Sequence, residues 1–306
     1  MDNKYFYKIK EEISNAAFGS NGQCFLLIDA ALEQYQSSSF LYDLLKDYEL
    51  YPITFHQNEL QGALSLYLIS LNVQERRDCE LFNNSIYHAL DELEFERINA
   101  GEGRSVCAWI STQLTREQLS ESISQSAVQS VQSGVDVLIR YFDPSVFGLL
   151  LPVFDNWQKQ KLLNNINVWC YIDGDGATQI VNGDGRCIKK LNYSLGVSEI
   201  NLLEMNNIIV INSILREYRK IRTIENISEQ QAAKLLHPAL HYFHSRFSSA
   251  DEGVIEFGLD ILTAQRLFYQ DGVFEQYLRN SPRGNLHSYS DLKSRVESQL
   301  WEKTIR

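Results

Sequence analysis

Three histidines are spaced so that they could bind a metal ion. His237, His241 and His244 stand at positions i, i+4 and i+7 of a predicted helix, so their imidazoles share one face and could converge on zinc. The segment reads His-Pro-Ala-Leu-His, which lacks the glutamate of a zinc-protease helix, and Pro238 disturbs the helix next to His237. We favour the alternative, a helix whose histidines face solvent or have ordinary polar partners.

Two acidic, glycine-rich segments form a second candidate metal site. Asp173 and Asp175 alternate with glycine like the start of a calcium loop, and a similar Asn-Gly-Asp-Gly segment follows at 182–185. Counted from Asp173, the sixth position is Thr178 where the loop needs glycine, and the twelfth is Asp184 where it needs glutamate. Asp-Gly and Asn-Gly are also typical of hairpin turns. We therefore predict turns without a metal, with a calcium site as the alternative.

An arginine within an apolar strand is the third candidate. The predicted strand at 135–142 places Arg140 on a face with apolar neighbours, where a charge is costly unless it is paired. Asp29 ends another apolar run, and Asp143 before Pro144 is typical of a helix cap. We predict an ion pair between Arg140 and Asp29 or Asp143. It either holds the fold together or contacts a partner.

The sequence contains no motif of an enzyme nucleophile or a phosphate-binding loop. GxSxG, the P-loop and GxGxxG are absent, and Gly101 and Gly103 lack the third glycine of a dinucleotide fingerprint. Asp29, Asp143 and Asp155 could act as catalytic carboxylates, but any chain with 39 acidic residues offers such candidates. We predict a protein that is not an enzyme and has no cofactor.

The charge and the cysteines restrict the environment and the partners. The 306-residue chain has a net charge of −11, which argues against nucleic acid and against anionic membrane surfaces as partners. Its longest apolar run, 146–154, is too short to span a bilayer. Its scattered cysteines form no CxxC pair and suit a reducing cytoplasm. These are Cys24, Cys79, Cys107, Cys170 and Cys187.

The periodicity of apolar residues predicts an α+β, or mixed α/β, fold in two parts. In residues 1–191 strand-like and helix-like patterns alternate, which predicts a lobe with a mixed sheet flanked by helices. In residues 192–306 the patterns are helical alone, which predicts a helical lobe. Thr115 and Ser228 each begin a capping-box pattern, and Ser133-Gly134 predicts a hairpin turn. Predicted strands cover 24–29, 64–71, 105–110, 135–142 and 167–172. Predicted helices cover 40–48, 82–93, 200–221, 232–247, 254–269 and 292–301.

The segment around Arg140 resembles the signature of a known family. Arg140-Tyr141-Phe142-Asp143-Pro144, followed by an apolar helix, is similar to the signature of the type VI secretion effector adaptors, also called spike-loading chaperones. The strand that ends in Asp29-Ala30 and the tryptophan-containing strand at 105–110 resemble the family in order and spacing. The similarity covers about residues 23–172. Ser145 stands where the family commonly has a second arginine, and no proline precedes the 66–68 strand.

The resemblance implies a function in protein loading. Members of this family are non-enzymatic cytoplasmic adaptors that bind a toxic effector and place it on a VgrG-type (valine–glycine-repeat) spike protein. By this resemblance, Asp29, Arg140, Tyr141, Asp143 and Pro144 form the structural or partner-contacting signature. We expect the lobe at 192–306 to select the effector, with Ile255, Leu259 and Leu262 facing it. The alternatives are a metal-dependent hydrolase that uses the three histidines and a general intracellular scaffold.

Overall fold

The chain forms two compact units, Met1–Leu202 and Leu203–Arg306. In the first unit helices surround a β-sheet, and the described part of the second is helical, so the α+β fold class predicted from the sequence is confirmed. The structure is a computed structural model. It describes residues 3–19, 22–31, 40–57, 60, 64–100, 102–131, 133–186, 192–221, 227–247, 253–272 and 288–295.

A six-stranded sheet forms the centre of the first unit. Its order is β2-β3-β1-β4-β7-β8, and each neighbouring pair is antiparallel, whereas a mixed sheet was expected. Apolar patterns locate strands but carry no information on their direction. A separate hairpin joins β5 and β6. The strands are β1 (Gln23–Asp29), β2 (Tyr51–Pro52), β3 (Leu66–Asn72), β4 (Val106–Thr112), β5 (Val128–Ser130), β6 (Asp136–Leu138), β7 (Ile166–Ile172) and β8 (Thr178–Asn182).

Several helices begin at local capping signals. The capping boxes at Thr115 and Ser228 are both formed, and a third, at Asp155, was not recognised in the sequence. In the first unit the helices are α1 (Asn3–Ala17), α2 (Phe40–Leu45), α3 (Arg76–Asp91), α4 (Phe95–Ala100), α5 (Arg116–Ala127), α6 (Pro144–Leu150) and α7 (Asn156–Leu163). They are followed by α8 (Glu199–Ile221), α9 (Glu229–Arg246), α10 (Gly253–Ala264) and α11 (Tyr289–Arg295).

Two tryptophans on adjacent central strands anchor packing on opposite faces of the sheet. Trp109 of β4 packs edge-to-face on Phe82 of α3, and its indole N–H donates to the Ser85 hydroxyl at 3.0 Å. Trp169 of β7 packs on Tyr141 and on Phe147 of α6. Aromatic side chains contribute large buried areas. Both faces of the sheet are therefore covered in the first unit.

The predicted strand at 135–142 is shorter than expected. The hairpin turns at Ser133-Gly134 as predicted, with Gly134 at φ +80°. The strand ends at Leu138, and a turn follows in which the Asp143 N–H donates to the Arg140 carbonyl at 2.9 Å. Arg140 therefore lies in the connection between β6 and α6. A turn there lets Arg140 and Asp143 approach each other.

Candidate functional site

Arg140 lies between the two aspartates that the sequence indicated. Its Nη2 atom is 3.5 Å from Asp29 Oδ2 and 3.6 Å from Asp143 Oδ2. Its guanidinium also lies over the Phe142 ring, 5.5 Å from the centroid. We name Arg140, Asp29 and Asp143 the arginine cluster. The cluster joins the end of β1 to the start of α6.

The arginine is more exposed than its strand pattern indicated. About 40% of the Arg140 side chain is exposed, whereas that of Asp29 is 3% exposed. Burial raises the pKa of Asp29, and the Ala31 N–H, which donates to Oδ1 at 3.1 Å, and the Arg140 charge offset part of that effect. The arginine therefore stabilises a buried carboxylate from a position that solvent, or a partner, can reach.

Asp143 has two structural roles. Its Oδ1 accepts hydrogen bonds from the Ser145 N–H at 2.9 Å and the Ser145 hydroxyl at 2.6 Å, and so caps α6, with Pro144 in the first turn. Its Oδ2 faces Arg140. The aspartate cap predicted from Asp143-Pro144 is therefore formed. Because each carboxylate oxygen has a different task, Asp143 couples the helix start to the arginine cluster.

Tyr141 is part of the core beside the cluster. Its ring is buried and packs on Trp169 with 5.8 Å between ring centroids. Its hydroxyl donates to the Ile123 carbonyl at 3.4 Å, and burial raises its pKa. Pro144 is buried as well. Of the five signature residues, these two hold the fold and Arg140 carries the accessible functional group.

A β-bulge lies next to the arginine cluster. The pairing of β1 with β4 shifts register between Leu27 and Ile28, which makes Cys107 the extra residue. Bulges often redirect side chains near functional sites. Burial raises the pKa of the Cys107 thiol well above its ordinary value, with Asp29 and Asp143 adding to the shift. A buried thiol of raised pKa is a poor nucleophile.

A buried polar network was not recognised in the sequence. Ser105 donates to Glu92 Oε1 from its backbone N–H at 2.6 Å and from its hydroxyl at 2.5 Å. His88 Nε2 lies 3.2 Å from that oxygen and 3.0 Å from Ser105 Oγ. Spacing of i and i+4 on α3 relates His88 to Glu92, but no local pattern relates either to Ser105.

This network has the residue types of a catalytic triad without its geometry. In a triad the hydroxyl and the carboxylate contact different imidazole nitrogens. Here both contact Nε2 of His88, and all three side chains are buried. Substrate therefore has no access to the Ser105 hydroxyl. The network fastens the end of α3 to the residue that precedes β4.

The histidine helix pairs with a carboxylate. His241 Nε2 lies 2.5 Å from Glu204 Oε1, and His237 Nδ1 lies 3.4 Å from Glu204 Oε2. Burial lowers the pKa of His237, although Glu204 acts in the opposite direction. His244 is exposed and its ring packs at the edge of Phe243. Ordinary polar partners, which we favoured for this helix, are thus present for two of the three histidines.

The Asp173 segment is a hairpin turn, as predicted. Asp173 Oδ1 accepts the N–H groups of Asp175 and Ala177, both at 2.9 Å, and Gly176 adopts φ +81°. Gln179 donates to Asp173 Oδ2 at 2.6 Å. Within the described ranges, no three His, Cys, Asp or Glu side chains are grouped so that they could hold a metal ion. Freedom from metal in solution stays a prediction.

Of the three residues expected to face the effector from α10, Leu262 is corrected by its burial, and Ile255 and Leu259 stay a prediction. Leu262 is fully buried and belongs to the core together with Phe257 and Ile261. Ile255 and Leu259 are only partly exposed. Helical periodicity groups these residues, but an apolar stripe on a helix usually packs into its own domain. Only the outer part of this stripe remains accessible.

Comparison with known proteins finds no relative: no family model, curated protein or solved structure matches the chain. Function therefore has to be inferred from the chain's own residues and geometry. In the part of the chain that the structure describes, no helix is both long and apolar enough to cross a membrane.

Proposed function

We propose that this chain is a cytoplasmic, non-enzymatic adaptor that binds a type VI secretion effector and helps to load it onto a VgrG-type spike protein. The observation that carries the proposal is the arginine cluster. The family resemblance includes Asp29 in one segment and Arg140 and Asp143 in another. Asp29 and Arg140 are 111 positions apart in the chain. They meet in the fold. The contact between these distant signature residues supports a scaffold in common with the adaptor family.

The exposure of Arg140 supports a role in binding as well as in folding. A guanidinium has five N–H donors in a planar fork. Asp29 and Asp143 approach Nη2, at 3.5 and 3.6 Å, and 40% of the side chain is exposed. Donors of this group are thus accessible to a carboxylate or a carbonyl of a partner. Both roles predicted for Arg140 are compatible with this geometry.

The state of the polar groups supports an adaptor over an enzyme. The Ser105 network is buried, and the Cys107 thiol has a raised pKa. Glu204 pairs with two of the three histidines. Catalytic groups must be able to contact substrate in a suitable protonation state. The buried Ser105 hydroxyl and the Cys107 thiol do not offer that combination, and His237 and His241 already have Glu204 as a partner.

The helical unit is the proposed effector-binding part. Besides the partly exposed Ile255 and Leu259, α8 exposes Leu203, Ile209 and Ile221, each to between 65% and 69%. Exposed apolar side chains are common on surfaces where a partner helix or strand docks. The proposal keeps residues 192–306 as the effector-selecting part and shifts the contact surface from Leu262 to α8.

A lobe exchange tests the proposal. The tagged chain is co-expressed with a type VI effector and a VgrG-type spike protein chosen from the genes of its own source, and complexes are isolated by affinity capture and gel filtration. Residues 203–306 are then exchanged with the helical part of another type VI effector adaptor that has a different effector, so that the Leu195 backbone stays with Gln129 and Gln158. We expect effector choice to follow the helical part and spike binding to be retained. Failure of the intact chain to bind either protein would refute the function, and effector choice that follows residues 1–202 would refute the division.

A further inference from the structure

Four aromatic side chains are exposed on one part of the first unit. Tyr7 of α1 is 63% exposed, Phe95 of α4 is 51% exposed, Tyr87 of α3 is 43% exposed and Tyr5 of α1 is 39% exposed. Phe6 of α1 stacks on Tyr87, with 3.8 Å between ring centroids. Exposed tyrosine and phenylalanine rings in a group are typical of recognition surfaces.

Contacts between elements make this region continuous. The Tyr5 hydroxyl donates to the Gly176 carbonyl at 3.0 Å, which places the start of α1 beside the β7–β8 turn. A Cβ atom at Gly176 would lie 3.6 Å from Leu90 and 3.8 Å from Leu93. The end of α3 therefore adjoins the same turn. The start of α1, the end of α3 and this turn therefore adjoin one another, and α4 begins two residues after Leu93.

Carboxylates accompany the aromatic rings. Asp91 is 60% exposed, and both Glu94 and Glu96 are exposed next to Phe95. The nearby cation Arg97 is already held by Asp91 at 2.5 Å and by Glu102 at 2.7 Å. By contrast, Glu94 and Glu96 form no ion pair with any residue that the structure describes. The local charge is thus negative and in part uncompensated.

The short helix α4 carries the centre of this surface without contributing to the core. None of its residues is buried. Helices in proteins are normally held by burial of an apolar face. On α4 the large apolar side chain, Phe95, is half exposed between two glutamates. The exposed ring and the exposed carboxylates are separate features of this part of the chain. Each is available for contact with a partner.

We propose that this acidic aromatic surface, formed by Tyr5, Tyr7, Tyr87, Asp91, Glu94, Phe95 and Glu96, binds an arginine-rich segment of a partner protein. Arginine suits both components, because its guanidinium pairs with carboxylates and stacks on aromatic faces. The helix α1 also carries the cations Lys4, Lys8 and Lys10, of which Lys8 pairs with Glu12 at 3.8 Å, so the carboxylates for arginine lie on the α3–α4 side of the surface. This inference does not depend on the proposed adaptor function.

The test uses two short fluorescein-labelled helical peptides of the same sequence, one with arginine and one with citrulline at the charged positions. Citrulline keeps the shape of arginine and removes its charge. Fluorescence anisotropy measures binding to the full chain and to the variants Glu94→Gln/Glu96→Gln and Phe95→Ala. The control Glu117→Gln/Glu121→Gln makes the same change in net charge on α5. Circular dichroism and thermal unfolding verify that each variant is folded.

We expect the arginine peptide to bind the wild type and the α5 control equally, and to bind each α4 variant about three- to tenfold more weakly, as exposed ion pairs and cation–π contacts of ordinary strength imply. The citrulline peptide should bind weakly to all of them. Affinity for the wild type should fall with added salt more steeply than affinity for the double variant. No binding of the arginine peptide to the wild type would overturn the proposal. Equal binding of the two peptides, or an equal loss in the α5 control, would overturn it as well.

Discussion

At the scale of single residues, the first unit stabilises buried carboxylates in two different ways. Asp29 is balanced by a partly exposed arginine and by backbone hydrogen bonds from Ala31 and Ser65. Glu92 is enclosed by His88 and by two donors of Ser105. Burial raises the pKa of Asp29, whereas hydrogen bonds outweigh burial and lower the pKa of Glu92. The two groups therefore affect stability in opposite directions as the pH changes.

Arg140→Ala should lower the free energy of unfolding by about 1–3 kcal/mol, less than the ~3–5 kcal/mol of a fully buried pair, because the arginine is partly exposed. Adding Asp29→Asn should recover part of the loss, since a neutral amide needs no cation. Urea unfolding at neutral pH measures both effects. Arg116→Ala, which removes an arginine whose partner Glu49 is exposed, is the control. An Arg140→Ala protein as stable as the wild type that no longer binds its partners would assign the residue to contact rather than to folding.

Glu92→Gln should cost about 1.5–3 kcal/mol at neutral pH, because it removes the charge from buried hydrogen bonds. Burial raises the pKa of Glu92, but hydrogen bonds from His88 and Ser105 bring it below the ordinary 4.5. The unfolded carboxyl thus binds a proton at higher pH than the folded one, so the stabilisation is present above about pH 4.5 and is lost as the pH falls through the folded pKa. Urea unfolding across acidic pH should show a shallower loss of stability in the variant. Glu80→Gln, an exposed change on α3, should leave the profile unchanged.

At the scale of elements, one glycine sets how closely two helices of the second unit pack. A Cβ atom at Gly258 of α10 would overlap with the Ile214 side chain of α8. Both helices carry apolar residues in the core, including Phe257, Ile261 and Ile211. A glycine in a helix interior is intrinsically unfavourable. Its place here follows from the close approach of α8 and α10.

Gly258→Ala should destabilise the protein by about 1–3 kcal/mol through overpacking, although alanine gains about 0.5–1 kcal/mol in helix propensity. Gly272→Ala is the control, because among the described residues, apart from its own chain neighbours, no atom lies within 4 Å of a Cβ at that position. The double variant Gly258→Ala/Ile214→Ala should be more stable than the sum of the single changes implies, since the smaller side chain removes the overlap. Chemical denaturation of all four proteins provides the cycle. A stabilising Gly258→Ala would show that the helices separate without cost.

At the scale of the whole molecule, buried amides set where the first unit ends. The Gln129 side chain accepts the Leu195 N–H at 2.6 Å and donates to the Tyr193 carbonyl at 3.1 Å. Gln158 donates to the Leu195 carbonyl at 3.0 Å and to Asn201 Oδ1 at 3.2 Å. Residues 193–201 are therefore bound to the first unit. These bonds explain why the first unit ends after Leu202. The pattern of apolar residues in the sequence had indicated a boundary after residue 191.

A fragment of residues 1–202 should be more stable than a fragment of residues 1–191. The shorter fragment leaves the buried amides of Gln129 and Gln158 without the Leu195 backbone, and each unsatisfied group costs about 1–3 kcal/mol. Urea unfolding of both fragments gives the difference. Gln129→Ala within the longer fragment should reproduce part of the loss, whereas Gln113→Ala at an exposed position should not. Equal stability of the two fragments would place the boundary at 191.

Local chemistry in the sequence determined where many elements begin and turn. Side chains such as Thr115, Ser228 and Asp143 cap helices with backbone groups a few residues away, and Gly134 provides the positive φ of the hairpin turn. These signals act over short distances along the chain, so they can be read without the fold. The alternation of apolar residues likewise determined the α+β class, because burial of one face of each element is a local pattern.

Only the tertiary structure decided the contacts between distant segments. Packing between separate elements decides the order and direction of the strands. It also decides the bulge at Cys107 and the bond from Ser105 to Glu92. The partial exposure of Arg140 and the burial of Leu262 are of the same kind, because apolar spacing shows which residues share a face but not what covers it. The sequence thus determined the elements and the candidate residues, and the fold determined which of those residues a partner can reach.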